Sequence, residues 1–465
     1  MLGMGNMRQW LMNISLVGGW FPAAAFAVIA VLSVTLLVSA AVSKRDGRIL
    51  ATVLPIGVAA VSGMVGYVVA WLLSDVFVVF GVGLGSRVMS WVAAGFAIAG
   101  FAIVHIVLSR GMMRVAAAIL TVFAILAAAI GIDQSYGEYA TIGSLFGEDS
   151  YSQADLTGLA KRKDLITVAQ WRKQAANGTI RNIPANGTVN KIDIPATKSQ
   201  FEARKALVYL PPAALADSKR KPALPVVLML SGQPGSPGRV FQAGGIQTMM
   251  DGYAKTHDGL APIVIAADQL GADSHNTLCV DSKVYGNALT YLTQDVVDWV
   301  KTNLPAAQDA KDWAIAGFSQ GATCSLQIGV NHPDLFGTMI PTDSEIKPTN
   351  GSRQEMIDRF FDGDTTAYEN QVPVNAIRNH APTHQMLIIG AGEKDTTSIR
   401  NVKTIAPVAA KAGMRVAAVE SSGNAHDWHA VQDVLRYGLA VFGHDTGLDG
   451  ANPNLSDYPN LKRIT

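Results

Sequence analysis

The sequence predicts two parts of different kind: a bundle of four membrane-spanning helices, followed by an α/β domain built on a mostly parallel sheet. Three observations lead there. Hydrophobic residues make up 49% of the 465 and charged ones only 16%, too apolar a balance for an ordinary soluble chain. The excess is concentrated in residues 16–132, which carry little charge, while the remainder has the composition of a globular domain. Beyond residue 190, short apolar runs alternate with segments of helical period, the pattern of a sheet covered on both faces. The expected organisation is an anchor over 1–132, a juxtamembrane linker over 133–189 and an α/β domain over 190–465.

A helix needs about 20 apolar residues to cross the hydrocarbon core. Four stretches meet that length: Gly18–Val42, Leu50–Leu73, Trp91–Leu108 and Val115–Ile132. The first is too long for the apolar stretch of about 7–15 residues in a cleaved signal peptide, and Lys44 and Arg45 follow it directly. It reads as an anchor. Lys44, Arg45 and Arg48 lie after the first span and Arg110 and Arg114 between the third and fourth. The loop after the second span, Ser74–Ser90, holds one Arg and one Asp. Basic loops stay in the cytoplasm, so residue 133 onward is expected on the extracytoplasmic side of the cytoplasmic membrane. The apolar stretch Val76–Leu84 is too short to span. His105 is the one ionisable residue inside a span and reads as facing the interface.

In the second half, a helix is expected over Gln153–Ala176. Strands are expected at Phe201–Leu210, Val226–Leu230, Pro262–Ala267, Trp313–Ala316, Gly337–Pro341, Gln385–Ile389 and Arg415–Glu420. Helices are expected at Tyr291–Asn303, Ala322–Asn331, Val402–Ala412 and His429–Phe442.

Gly317-Phe318-Ser319-Gln320-Gly321 follows an apolar strand and opens an apolar helix. Such a G-x-S-x-G elbow needs glycines because the turn that presents the serine is sharp. The helix N-terminus behind it favours developing negative charge. Ser319 is therefore the candidate nucleophile. Its base should come later in the chain, from a loop at the C-terminal edge of the sheet. His426, in the small-residue loop after strand 415–420, fits; His332 sits at a helix end and His429 inside the last helix. His380 and His384 are four apart, but Pro382 between them breaks the helix a metal pair would need. Asp395, in the loop one strand before His426, is the favoured acid, with Asp343, Glu345 and Asp364 as alternatives. The oxyanion donors are expected to be the N–H of Gln320 and that of Gly232 or Gln233, in the loop after strand 226–230.

The two cysteines, Cys279 and Cys324, flank this machinery. A disulfide between them would pin the 268–285 loop beside the site, in keeping with an extracytoplasmic domain; a buried free pair is the other reading. Basic and acidic residues nearly balance, 37 against 36, so no nucleic-acid partner is expected. The chemistry calls for no cofactor and no metal.

Residues 190–445 resemble the esterase family of α/β-hydrolases that includes esterase D, feruloyl and enterochelin esterases and the actinobacterial mycolyltransferases. The matching pieces are Arg204–Pro212, Leu230–Pro237, Trp313–Cys324 and Gly423–Trp428. The His-Asp-Trp of the last is the most characteristic. Ser231 stands where family members often carry His. The four apolar helices are similar to the anchor of membrane-bound actinobacterial members. The resemblance implies Ser319, Asp395 and His426 as a triad and an α/β-hydrolase fold. The expected function is a membrane-anchored, extracytoplasmic serine esterase acting through an acyl-enzyme on an ester of a cell-envelope lipid or glycolipid. An acyltransferase using the same triad and a non-catalytic binding module are the alternatives. The partners are the lipid bilayer and the lipid ester.

Overall fold

A computed structural model describes residues 4–42, 48–77, 84–148, 151–160, 162–180, 182–218 and 220–464. The chain divides into two compact units, Met1–Glu148 and Asp149–Thr465.

The first unit holds helices α1 (Trp20–Ala41), α2 (Arg48–Trp71), α3 (Gly85–Leu108) and α4 (Met112–Tyr136). All four are long and apolar enough to cross a membrane. A π-helical turn, Leu72–Val76, continues α2. The loop basic residues Lys44 and Arg45 and most of the 76–84 stretch lie outside the described residues. Helices pack where small residues let backbones approach: a methyl group added at Gly100 would meet Ser62, and one at Gly131 the Trp91 ring. Outward-facing side chains such as Val31, Met64 and Val122 stay exposed, as a lipid-facing surface requires.

Two of the expected boundaries move. The third helix starts at Gly85 rather than Trp91, because residues 85–90 continue the helix without a break. The fourth runs on to Tyr136 and stops at Gly137, whose left-handed backbone (φ 67°) closes the last turn through Gly137 N–H to Asp133 O. The expected linker is not one segment. Its first part, up to Glu148, belongs with the helices: Thr141 pairs with Ser15, and Leu16 N–H donates to Ala140 O. Its second part joins the other unit: Ser152–Gln153 adds a strand beside 188–192, and Trp171 is fully buried with its indole N–H on Asp258 O. The helix expected over 153–176 is present only as Val168–Ala176. An Asp155 turn and the positive φ of Gly158 break the earlier residues, and the Thr167–Gln170 capping box starts the helix.

The second unit is built on a ten-stranded sheet: β1 (Ser152–Gln153), β2 (Thr188–Ile192), β3 (Ala206–Leu210), β4 (Val226–Leu230), β5 (Ile263–Ala266), β6 (Trp313–Phe318), β7 (Thr338–Thr342), β8 (Met386–Gly392), β9 (Arg415–Ser421) and β10 (Leu461–Arg463). The order is β1-β2-β3-β5-β4-β6-β7-β8-β9-β10. The six strands from β5 to β9 in that order are parallel, while β3 and β10 pair antiparallel at its two sides. Every residue of β4 and β6 is buried, the continuous apolar pattern of a sheet with two covered faces. Alternation assigns the faces. Ile315 joins a core with Leu326, Val297 and Ile405, from helices α5 (Val296–Asn303), α6 (Gln320–Asn331) and α7 (Thr396–Lys411). Ala314 and Ala316 join another with Val434 and Phe442 from α8 (Trp428–Asp445). The C-terminal ends of β4, β6, β8 and β9 thereby deliver their following loops to one edge of the sheet. The strand expected from Phe201 begins only at Ala206, since the Arg204 N–H is turned onto the Asp268 carboxylate.

Candidate active site

Ser319 sits between β6 and α6 with φ 55° and ψ −118°, a backbone region that non-glycine residues rarely occupy. Its N–H donates to Thr342 O and its carbonyl accepts from Thr323 N–H. The turn is possible because its flanking glycines lack side chains. A Cβ at Gly317 would lie 2.2 Å from Gly321 O, and one at Gly321 would lie 2.3 Å from Ser231 O. The two glycines of the motif thus serve close backbone approach.

Ser319 Oγ is 2.8 Å from His426 Nε2, and His426 Nδ1 is 2.7 Å from Asp395 Oδ2. The carboxylate fixes the tautomer: Nδ1–H donates to Asp395, leaving Nε2 to accept the serine hydroxyl proton. Asp395 is itself held, as N-cap of α7, by Ser398 N–H on its other oxygen. His426 is positioned by the residues that follow it. Asp427 caps α8, accepting from His429 and Ala430 N–H, and also takes the Ala425 N–H. Trp428 is buried with its ring 5.0 Å from Phe318, which also lies 5.0 Å from the His426 ring. The His-Asp-Trp sequence therefore ties the histidine loop to the residue preceding Ser319.

Burial works against charge on Asp395, but hydrogen bonds from His426 and Ser398 outweigh it and hold the carboxyl below its usual range. Burial likewise opposes a charged His426, yet the Asp395 hydrogen bond and nearby carboxyls outweigh it and raise the ring's pKa. Asp343 is buried and its pKa is pushed well up, by burial first and by the Asp395 charge as well. Burial pushes Glu345 up to about 7.

The remaining expected residues fall around this chain. Gln320 opens α6, so its N–H belongs to the first turn, which has no intrahelical acceptor. Gly232 lies against Ser319: a Cβ built there would be 3.5 Å from Ser319 Cβ. The Gln233 side chain turns away to donate to Ser274 O. Cys279 and Cys324 form a disulfide with Cα atoms 5.7 Å apart, joining the 268–285 loop to α6. Of the alternative acids, Asp343 lies beside the triad residues, whereas Asp364 caps a helix through Ala367 N–H. His332 ends α6 and His380 bonds Asn331. One donor atom each from Asp343, Asp395 and His426 lies within 4.8 Å of the others, close enough for a cation. His426 Nδ1 is itself engaged by Asp395.

Three residues had no sequence signal. Buried Gln269 donates through Nε2 to Ser231 O (2.7 Å) and to Gln320 Oε1 (3.2 Å), bridging the loops expected to supply both oxyanion donors. Arg204 pairs with buried Asp268 and donates to Gly235 O (2.9 Å), holding the far end of the Ser231–Gly238 loop. An Asp-Gln pair directly after an apolar strand, at Asp268–Gln269, is the one pattern that could have drawn attention.

Residues 198–438 match the model of the family described as "Putative esterase". The chain belongs to that family. An uncharacterized protein of Corynebacterium glutamicum is 32% identical over 333 residues, covering 70% of this chain and 74% of that one. Among solved structures, an S-formylglutathione hydrolase from Agrobacterium tumefaciens aligns with TM-score 0.46 and 16% identity, over 57% of this chain and 98% of the other. A ferulic acid esterase from Anaeromyces mucronatus aligns with TM-score 0.42 and 19% identity, over 55% and 90%. As a member of this esterase family the chain is an enzyme of the serine hydrolase or acyltransferase type.

Proposed function

We propose that the protein is a membrane-anchored serine esterase whose catalytic unit lies outside the cytoplasmic membrane and cleaves an ester of a membrane lipid or lipid-linked compound. The observation that carries the chemistry is the unbroken hydrogen-bond chain Ser319–His426–Asp395. Ser319 Oγ attacks the ester carbonyl carbon as its proton passes to His426 Nε2, and Asp395 stabilises the resulting imidazolium through Nδ1–H. The N–H groups of Gln320 and of Gly232 or Gln233 receive the oxyanion. Collapse expels the alcohol, which takes the proton from Nε2, leaving an acyl group on Ser319. Water, activated by the same nitrogen, then releases the acid. A hydroxyl acceptor in place of water would make the enzyme an acyltransferase.

Four membrane-length apolar helices on the same chain support a substrate that lives in the bilayer. The basic loop residues Arg110 and Arg114, set against the sparsely charged stretch after α2, support the outward placement. The test is fluorophosphonate labelling of wild type and Ser319→Ala in membranes, with lipid profiling of cells carrying each. Labelling confined to wild type, a loss of turnover of about 10⁴–10⁶-fold in the variant, and an accumulating lipid ester are expected. Folded wild type that refuses the probe would leave a binding module as the reading. A missing acylated product, instead of an accumulating ester, would make the reaction a transfer.

A further inference from the structure

The triad residues have a neighbour that the reaction as written does not use. Asp343 follows β7 directly. Its side chain is 1% exposed, and its backbone holds φ 55°, again in the left-handed region rarely taken by non-glycine residues. Two bonds lock that position. Asp343 N–H donates to Gly390 O, and Oδ1 accepts Gly392 N–H at 2.9 Å. Both partners lie on β8, the strand whose end carries Asp395. The second oxygen, Oδ2, is buried and has no hydrogen-bond partner among the described residues. A buried polar atom without a partner is costly, and in a native structure it calls for an explanation such as a catalytic role. One Asp343 oxygen lies within 4.8 Å of both an Asp395 carboxylate oxygen and a His426 ring nitrogen.

We propose that Asp343 is a second positioning acid for His426, forming with Asp395 an acid pair on the imidazole, and that it holds the ring in register when Asp395 is absent. This rests on the triad reading above. Its basis is geometric: two carboxyls from adjacent parallel strands converge on one ring, one bonded to it and the other held a short movement away with a free oxygen. The charge pattern is consistent. Hydrogen bonds from His426 and Ser398 hold the Asp395 carboxyl low, while burial first and the Asp395 charge after it push Asp343 well up, so the pair favours a single negative charge beside the ring. Removing Asp395 takes away one contribution that raises Asp343, while burial remains and a cationic His426 ring works to lower it. Asp343 can then ionise and accept the Nδ1–H as the ring becomes cationic. Of the other carboxyls that feel the ring, Asp427 is committed to three backbone N–H groups at the start of α8 and Glu345 to Thr349.

The test is a double-mutant cycle in the full-length protein, with Asp395→Ala, Asp343→Asn and the double variant assayed for ester turnover. Alanine is used at 395 because asparagine would impose the wrong tautomer. Asp395→Ala is expected to lose about 10²-fold in kcat, well short of the roughly 3 × 10⁴-fold lost when a triad acid alone is removed from a serine protease. Asp343→Asn should then cost at least about tenfold more kcat in the Asp395→Ala background than in wild type, with KM unchanged. In proton NMR of the histidine rings, the far-downfield Nδ1–H signal of His426 should persist in Asp395→Ala and vanish in the double variant. Equal costs of Asp343→Asn in the two backgrounds would overturn the proposal, since a purely structural role adds without coupling. Should Asp343→Asn fail to fold, the Nδ1–H signal in Asp395→Ala alone decides: its loss ends the proposal. Full activity in Asp395→Ala would instead strike the triad reading itself, so the two failures are distinct.

Discussion

Ile125 and Ile315 are the same side chain in two different settings. Ile125, in the fourth helix of the first unit, is 67% exposed; Ile315, in the central strand of the second, is 0% exposed. Glycine shows the same division. Gly131 makes room for a neighbouring side chain, the Trp91 ring, between packed helices. Gly321 makes room for backbone, the carbonyls of Leu230 and Ser231 at the edge of the sheet. In the helical unit many apolar residues face outward and small ones such as Gly100 and Gly131 join Leu36, Phe101 and Leu120 in the contacts, the pattern of helices long and apolar enough to lie in lipid. In the sheet unit burial drives assembly, and at Gly317, Gly321 and Gly392 glycine lets two stretches of backbone touch. One half of the molecule is shaped by its surroundings and the other by its interior.

The largest expected effect tests the two uses of glycine. Gly321→Ala would place a methyl 2.3 Å from Ser231 O and 2.5 Å from Leu230 O. These belong to the strand end and loop that carry Gly232 and Gln233, so the variant should lose roughly 10²–10³-fold in turnover, the size of losing one oxyanion donor. Gly131→Ala meets only a side chain and should change thermal stability while leaving turnover per folded molecule as in wild type. Comparable turnover losses in both variants would erase the distinction.

The next effect is one of stability. Ile315→Ala should cost about 2–5 kcal/mol, as for other large-to-small changes in a packed core. Ile125→Ala should stay within about 0.5 kcal/mol, as for a side chain without protein neighbours to lose. Denaturation of the purified full-length variants in lipid nanodiscs measures both. A cost at Ile125 approaching that at Ile315 would mean that its face packs against protein and not lipid.

How much of this was legible beforehand follows the same line. The four apolar helices could be read because a bilayer imposes a length. Their ends could not, because residues 85–90 and 133–136 are helical through local continuity and not through apolarity. The elbow could be read because Gly317, Ser319 and Gly321 are needed by one local turn. His426 and Asp395 followed from strand order, since loops at one sheet edge must converge. Residues whose roles depend on distant partners left no trace: Gln269 reaches Ser231 and Gln320, and Arg204 reaches Asp268 and Gly235, only once the sheet has assembled. The sequence presents Asp343 only as a rival to Asp395, because strand order alone does not show two carboxyls meeting at one ring. The 153–176 segment holds only a short helix because Gln153 pairs in the sheet and an Asp155 turn and the positive φ of Gly158 then interrupt the chain.

The smallest expected effect concerns a charge placed where the interior, not the solvent, governs it. Glu345, after the strand that ends in Thr342, has its backbone N–H on Thr323 Oγ1, one turn along the helix from Ser319. Burial raises its carboxyl from 4.5 to about 7. A raised acid binds its proton more tightly in the folded state than in the unfolded one. Its contribution to stability is therefore fully present below pH 4.5 and is lost as the pH climbs through about 7. Gln has no proton to lose and keeps the same shape. Glu345→Gln should therefore match wild type in stability near pH 4 and exceed it by about 1–3 kcal/mol at pH 8, after allowance for the residue's partial exposure. Melting of the full-length protein at the two pH values measures the gap. A gap of the same size at both would mean that the carboxyl is governed by water, as an exposed side chain is, and that the contrast between the two halves stops short of the site's rim.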